Sequence, residues 1–510
     1  MQRRTRGWRM SEIGRRATLL AVLFGATVGV AAPMWAQSSA LRKRLDTRLD
    51  APPFNRHLWG VAVVDEKGKL VYGRNADRMF IPASNTKLVV AAVASALFSP
   101  DFTVKTSIYA SGPVVNGVVR GDLVLYGRGD PTFGRRCFAT DTLLAGVCDR
   151  DPADRMLALV DTLVARGVTS IEGDLVGDGS YFDGALVHPG WEAYDLNWWY
   201  AAPVSGLGFN DNAIDITYAP GSRDGEPATL GFTPDFGDVT LENRTRTVPA
   251  GGEETIDFFR EPGTMHVWAE GTVQFGGRTR TESFALPDPN LYAARALRGA
   301  LAARGISVTG GTRSTTDSTL YQGARRGPAL ANVSGRPMRD WIFPILNTSQ
   351  NWYAEMVLKQ LGRIYGGGGS WDEGVKVERR FLIDSVHIDS TQFALSDGSG
   401  LSASNLVSPL AFTKLLRFIR QHPHWATFAA GLPQAGNTGS LRNRFRGTPL
   451  EGKVRAKTGS ISRVNTLSGF VELGGGKGLV FSVQANHHTQ PTRAILAQID
   501  SVVVDMAGGR

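Results

Sequence analysis

Cysteine, histidine and long apolar runs are all scarce in this 510-residue chain, and each shortage removes a class of chemistry. Two cysteines cannot staple a fold of this size, so its core must come from apolar burial. The eight histidines include no H-E-x-x-H, and their local pairs are only His422 with His424 and His487 with His488. One pair stands at a helix end and the other after a strand, positions read as solvent-exposed rather than metal-ligating. There is no G-x-S-x-G, the turn that presents the nucleophile of α/β-hydrolases. No cofactor and no metal are implied. The longest apolar stretch, Ala17 to Ala32, spans 16 residues and contains Gly25 and Gly29, which is short for a membrane span.

What is present is an ordinary globular composition, 42% apolar and 20% charged, with length for two or three domains. The net charge of +9 is mostly a property of the first 36 residues. There, Arg3, Arg4, Arg6, Arg9, Arg15 and Arg16 stand against Glu12 and are followed by the apolar stretch and "PMWAQ", the pattern of a secretory signal cleaved near Ala36. Arg15-Arg16 leaves a twin-arginine route open beside the general one. Without that segment the chain carries about +4, and no basic face with interleaved aromatics follows. No nucleic-acid partner and no stable membrane span after cleavage are expected. In an exported chain Cys137 and Cys148, eleven residues apart, are expected to form a local disulfide, with two unpaired thiols as the alternative.

The layout changes texture twice. "WGVAVVDEKGKLVYGR" alternates and turns at Lys67-Gly68, predicting an antiparallel hairpin. From about 101 to 318, strands and glycine-rich turns predict a large β-rich insertion. Helical spacing returns in "RPMRDWIFPIL", "NWYAEMVLKQLGRIY" and "SPLAFTKLLRFIRQH", and "KVRAKTGSI" opens a closing set of three strands and a helix. The economical plan is one α/β (α+β) domain, an antiparallel sheet flanked by helices, built from residues 37–100 and 319–510 around the inserted 101–318.

One stretch, "IPASNTKLVVAAVASAL", sets a lysine at the mouth of an apolar helix, three residues after a serine. Ser84 and Lys87 therefore share a face, and partial desolvation favours a neutral amine able to act as a base for the hydroxyl. By itself such a pair reads first as a capping serine and a solvated lysine, because short motifs recur by accident. Two further motifs follow in order, Ser349-Gln350-Asn351 at a helix start and Lys457-Thr458-Gly459 on a strand. The ordered triple Ser-x-x-Lys, Ser-x-Asn, Lys-Thr-Gly is the signature of serine β-lactamases and penicillin-binding proteins.

Through that triple, and through "PASNTK", "GRGDPTF", "GDGSYFDG", "YAAPVSGLGFNDN", "NTSQNWYAEM", "DGSGLSASNLVSP" and "KTGS", the chain resembles the class C low-molecular-mass penicillin-binding proteins, a D-alanyl-D-alanine carboxypeptidase/endopeptidase family. Some 265 residues separate Ser84 from Ser349, like that family's inserted domains and unlike a compact β-lactamase. The resemblance implies a transpeptidase-like fold and a serine DD-peptidase of the periplasm or cell envelope. It would act on peptidoglycan stem peptides and be inhibited by β-lactam antibiotics. A β-lactamase and a catalytically weak peptidoglycan-binding protein are the alternatives. It implies Ser84 as nucleophile, Lys87 as base, Ser349 as proton relay and Asn351 as the amide holding Lys87 and the substrate backbone. Lys457 and Thr458 would bind the terminal carboxylate, Gly459 would admit the substrate, and the N–H groups of Ser84 and Ser460 would form the oxyanion hole. The family often has aspartate where this chain has Gln350. Two features stay open between roles. "DGSGLS", Asp397 to Ser402, is a tight turn or part of the cleft lining. Asp195, beside Trp198, Trp199 and Tyr200, is either packing or the acid that similar proteins use to bind a free amine of the peptide.

Overall fold

The computed structural model describes residues 39–134, 153–237, 239–261 and 263–508. The expected signal segment 1–36 and the expected Cys137–Cys148 disulfide lie outside the described residues.

The predicted hairpin is present: β1 (Leu58–Asp65) and β2 (Leu70–Arg74) pair antiparallel, and the turn between them carries Gly68 at φ +85°. Three strands from the other end of the sequence complete the sheet: β3 (Val454–Ile461), β4 (Val464–Gly474) and β5 (Lys477–Asn486). The order is β2-β1-β5-β4-β3, antiparallel throughout, with Val61 opposite Val483. Side chains alternate across a strand, so a strand buried on both faces reads as an unbroken apolar run. "GVAVV" does this: Val61 and Val63 enter one layer, Ala62 and Val64 the other. On the first face, Leu41, Leu45 and Leu49 of the helix Ser39–Leu49 pack with Ile495, Ile499 and Val502 of the helix Thr492–Ala507.

The second face is covered by α1 (Lys87–Leu97), apolar all round and buried from Lys87 to Ser95. A helix without a polar face must be central, and it is enclosed by α2 (Asn351–Tyr365), α3 (Trp371–Asp384) and the helices Arg339–Leu346 and Pro409–Gln421. Both of the first two have side-chain caps at their starts. Gln350 accepts from Trp352 N–H, and Ser370 accepts from Glu373 N–H with Asp372 and Glu373 in the first turn.

Between α1 and α2 lies a second body of sheet. Five strands run in the order Thr312–Thr315, Leu175–Asp178, Leu123–Tyr126, Lys105–Ala110 and Ala331–Ser334. Two three-stranded sheets lie beyond it, and the helices Asp154–Ala165 and Pro289–Ala303 pack on its core.

Glu378 of α3 is fully buried, and neither carboxyl oxygen has a hydrogen-bond partner among the described residues. Burial first, then the nearby Glu355 and Asp397, raise its pKa well above the carboxylate range. The folded state therefore keeps this proton while the unfolded chain releases it, so stability falls as pH rises from the unfolded value toward the folded one. Glu378→Met removes that burden. The expected gain is about 1–3 kcal/mol at pH 7.5, shrinking toward pH 4, measured as a shift in denaturant midpoint at both pH values.

Candidate active site

Ser84 stands on a 3-10 turn, Ala83–Thr86, and α1 itself begins at Lys87. The turn is held tightly from two sides. Ala83 is left-handed at φ +47°, an uncommon state for a residue with a side chain, and its carbonyl meets the backbone of Gly400 so closely that a Cβ there would lie 1.9 Å away. On the other side a Cβ on Gly459 would lie 2.6 Å from Pro82 O and 2.3 Å from Thr466 Oγ1. The bare face of Gly459 thus turns to the serine-bearing turn, and its first necessity is packing rather than access for a substrate. Thr466 Oγ1 donates to Pro82 O at 2.8 Å and clamps the same turn to the sheet.

Lys87 is fully buried, and its Nζ has three partners. Asn351 Oδ1 lies at 2.6 Å, Ser399 O at 2.8 Å and Ser84 Oγ at 2.9 Å. Burial pulls its pKa down to about 7, against the opposing pull of Glu355 and Asp397. The two carbonyl oxygens can only accept. A neutral amine has two N–H bonds and one lone pair, so with both hydrogens given to the carbonyls the lone pair is left for the Ser84 hydroxyl.

A second lysine and serine stand alongside. Lys457, on β3 and fully buried, donates to Ser349 Oγ and to Thr458 O, each at 2.8 Å. Burial, and then the Lys87 cation, push its pKa well down. Ser349 is also left-handed, at φ +62°, so each serine adjoins or occupies a strained backbone position. Lys457 is placed behind Ser349 and is fully buried.

A cleft of about 470 Å³ opens over these groups, and Ser84, Asn351, Ser460 and Asp195 all line it. Ser460 is exposed and its Oγ accepts from Asn465 Nδ2 at 3.0 Å. Thr458 Oγ1 donates to Ser440 Oγ at 2.8 Å. Asp195 is half-buried, accepts from Tyr200 O–H at 3.0 Å, and has its pKa raised by burial. Both readings of "DGSGLS" apply: Gly400 and Leu401 line the cleft, and the turn also supplies Ser399 O to Lys87. The histidine pairs do not line this cleft. His488, expected to be exposed, is buried, its ring 6.0 Å from that of His57.

Four contributors lie in the stretches that carry the resemblance but were given no role at the lysines. Tyr200 O accepts from Asn351 Nδ2 at 2.8 Å. Glu355 accepts from the N–H groups of Gly398 and Ser399 at 2.9 and 2.7 Å. Asp397 accepts from the N–H groups of Gly400 and Ser402, both at 2.7 Å. Asp211 accepts from Gln350 Nε2 at 2.8 Å. The spacing of Glu355 four residues after Asn351 is the one signal a sequence offers, since it puts both on one helix face.

With this geometry in view, the family model for the D-Ala-D-Ala carboxypeptidase 3 (S13) family matches residues 41–505. The chain belongs to that family. It is a low-molecular-mass penicillin-binding protein and a serine peptidase of the D-Ala-D-Ala carboxypeptidase type. A D-alanyl-D-alanine carboxypeptidase from Actinomadura sp. is 32% identical over 95% of this chain and 88% of its own length. The crystal structure of penicillin-binding protein 4 from Haemophilus influenzae covers 91% of this chain and 99% of its own, with a TM-score of 0.76 at 22% identity. The same protein complexed with a β-lactam superposes with a TM-score of 0.70. The fold of this peptidase is thus the expected one, sheet and flanking helices included. Among its described residues no helix is long and apolar enough to cross a membrane.

Gln350 gives a test of how this site is adapted. It is fully buried against Asp211, so an aspartate there would set two carboxylates together out of water. Gln350→Asp should cost about 1–3 kcal/mol of stability at pH 7.5 and less near pH 4, where a shared proton relieves the repulsion. Adding Asp211→Asn should recover part of the loss. Thermal unfolding of the single and double variants at the two pH values reads this out.

Proposed function

We propose that this peptidase cleaves D-alanyl-D-alanine termini, and D-alanyl cross-links, of peptidoglycan stem peptides through an acyl-enzyme on Ser84. The observation carrying the reading is the Lys87 amine, buried, lowered to about 7 and left with one lone pair toward Ser84 Oγ. Ser84 attacks the carbonyl of the penultimate D-alanine while Lys87 takes its proton. Ser349, supplied through Lys457, returns a proton to the leaving D-alanine nitrogen. Strand β3 is the edge of its sheet; Pro433 O occupies Ala456 N–H and Lys457 Nζ occupies Thr458 O, and an extended peptide added as a further strand would pair beyond them, at Thr458 N–H and Ser460. Thr458 and Ser440 hydroxyls stand where a terminal carboxylate can be bound, and the N–H groups of Ser84 and Ser460 take the oxyanion. A β-lactam offers the same carbonyl but keeps its leaving group attached, so it is an inhibitor.

The wider plan follows the same reading. Residues 1–36 direct export to the periplasm or cell envelope, by either route. Residues 37–100 and 319–510 form the peptidase domain around an insertion at 101–318, with Ala331–Ser334 pairing back onto Lys105–Ala110.

A labelled penicillin should acylate Ser84 and leave slowly, with Ser84→Ala unlabelled. Acylation should rise with pH through about 7, because only the neutral Lys87 amine accepts a proton. Lys87→Met, similar in length but without the nitrogen, should lower the acylation rate by about 10²–10⁴-fold while folding is retained. Rapid turnover of penicillin would instead indicate a β-lactamase, and labelling away from Ser84 would refute the assignment.

Asp195, which lines the same cleft as Ser84, is the acid we assign to a cationic amine on the substrate. Asp195→Asn should reduce kcat/KM for peptides bearing that amine by roughly 10–100-fold, the loss of a charge-assisted contact, and leave penicillin acylation unchanged. N-acetylation of the peptide amine should reproduce the loss in the unaltered enzyme. Equal losses for peptide and penicillin would return Asp195, Trp198, Trp199 and Tyr200 to a packing role.

A further inference from the structure

We propose that Glu355 is a positioning residue for the Lys87 amine, acting through the backbone of residues 398 and 399; this rests on the peptidase reading above. Helix α2 presents Asn351 and Glu355 on one face, a turn apart. Asn351 holds the amine directly. Glu355 holds the other acceptor: its Oε1 accepts from Ser399 N–H at 2.7 Å and its Oε2 from Gly398 N–H at 2.9 Å, and it is Ser399 O that lies 2.8 Å from Lys87 Nζ. A third donor, Trp371 Nε1–H of α3, reaches Oε2 at 2.8 Å. These three neighbours donate and favour the carboxylate, while burial and then Asp397 raise the Glu355 pKa to about 7, so the carboxylate form is the one that accepts on both oxygens above that pH. An amide would turn its NH₂ toward an N–H.

The far end of the same turn is fixed by Asp397, through Gly400, Ser402, Asn405 and Trp191. Gly400 in turn backs the Ser84 turn. The loop thus locates both the serine and one acceptor of its lysine, and Glu355 anchors it at the lysine end.

The charges around the amine come from each element packed on it. Glu355 on α2 and Asp397 in the loop oppose the effect of burial on Lys87, while Lys87 and Lys457 on β3 repel. Glu355 also faces Asp397, Glu378 on α3 and Lys359 one turn along α2. Of these, Glu378 makes no hydrogen bond among the described residues. Loss of the Glu355 carboxylate therefore has two consequences at once: Ser399 O is released, and the neutral amine is favoured down to lower pH.

The test is the second-order acylation rate with a fluorescent penicillin from pH 5 to 9, with the label mapped, for the unaltered enzyme, Glu355→Gln and Glu378→Met. Glu355→Gln should lose about ten-fold or more in maximal rate, and its acid limb should move to lower pH by about half a unit or more. Glu378→Met should leave both within two-fold of the unaltered enzyme. A limb and rate unmoved in Glu355→Gln, or an equal shift in Glu378→Met, would overturn the proposal. Should Glu355→Gln not fold, Trp371→Phe removes one donor from the carboxylate, and a smaller shift in the same direction is expected; no shift overturns it. An unaltered enzyme unlabelled at Ser84 defeats the peptidase reading itself, whereas normal labelling of Ser84 with an unmoved limb defeats only the role of Glu355.

Discussion

A primary amine taken out of water and given two carbonyl oxygens and one hydroxyl is the constraint on which the architecture turns. A lysine buried as a cation costs several kcal/mol unless it is paired. Lys87 meets that cost by a lowered pKa, and its surroundings are arranged for the neutral form. The consequence reaches well beyond the residue. Helix α1 is apolar from Leu88 to Ala94, so its first turns after the lysine offer no side-chain partner for the nitrogen at its mouth. The partners come from α2 and from the loop after Asp397, and these two, with strand β3, converge where α1 begins.

The second amine repeats the device at short range. Lys457 is buried like Lys87, and each cation would raise the cost of the other. Two lysines that cannot both be charged cheaply therefore stand together, each in contact with a serine hydroxyl. The buried carboxylates limit how far this goes. Glu355 and Asp397 draw the Lys87 pKa upward and keep it near the working range instead of far below it, which suits a base that must also be able to hold a proton.

Sequence conveyed the parts whose chemistry is local. The Ser84 to Lys87 spacing, the Ser349 to Asn351 helix entry and the alternation of β1 are short-range patterns, and the structure places all of them as those patterns require. The α1 segment was legible for the same reason, since eleven residues without a polar face have nowhere to go but the interior. What was not legible depends on contacts far apart in the chain. Ser399 O meeting Lys87 involves 312 residues of separation and a backbone carbonyl, an atom every residue has. Gly459 illustrates the opposite error: its type was noticed, but which face of the strand lacks a side chain, and what lies there, is a matter of tertiary packing. Gln350, which departs from the pattern often found in the family, makes sense only once Asp211, 139 residues earlier, is seen against it.

The sheet-rich segment between α1 and α2 meets the Lys87 partners through Tyr200. An amide side chain can present either its oxygen or its nitrogen to a neighbour, and Asn351 is useful to Lys87 only if the oxygen points inward. Tyr200 decides the matter: its carbonyl accepts from Asn351 Nδ2, so the opposite edge of the amide, Oδ1, is the one turned to the lysine. Reversal would leave Nδ2 against an amine that needs an acceptor and Oδ1 against a carbonyl, two unfavourable contacts in a desolvated place. The same residue's phenol donates to Asp195 at the rim of the cleft. A single tyrosine therefore fixes the amide that holds the Lys87 amine and donates to an acid on the wall of the cleft.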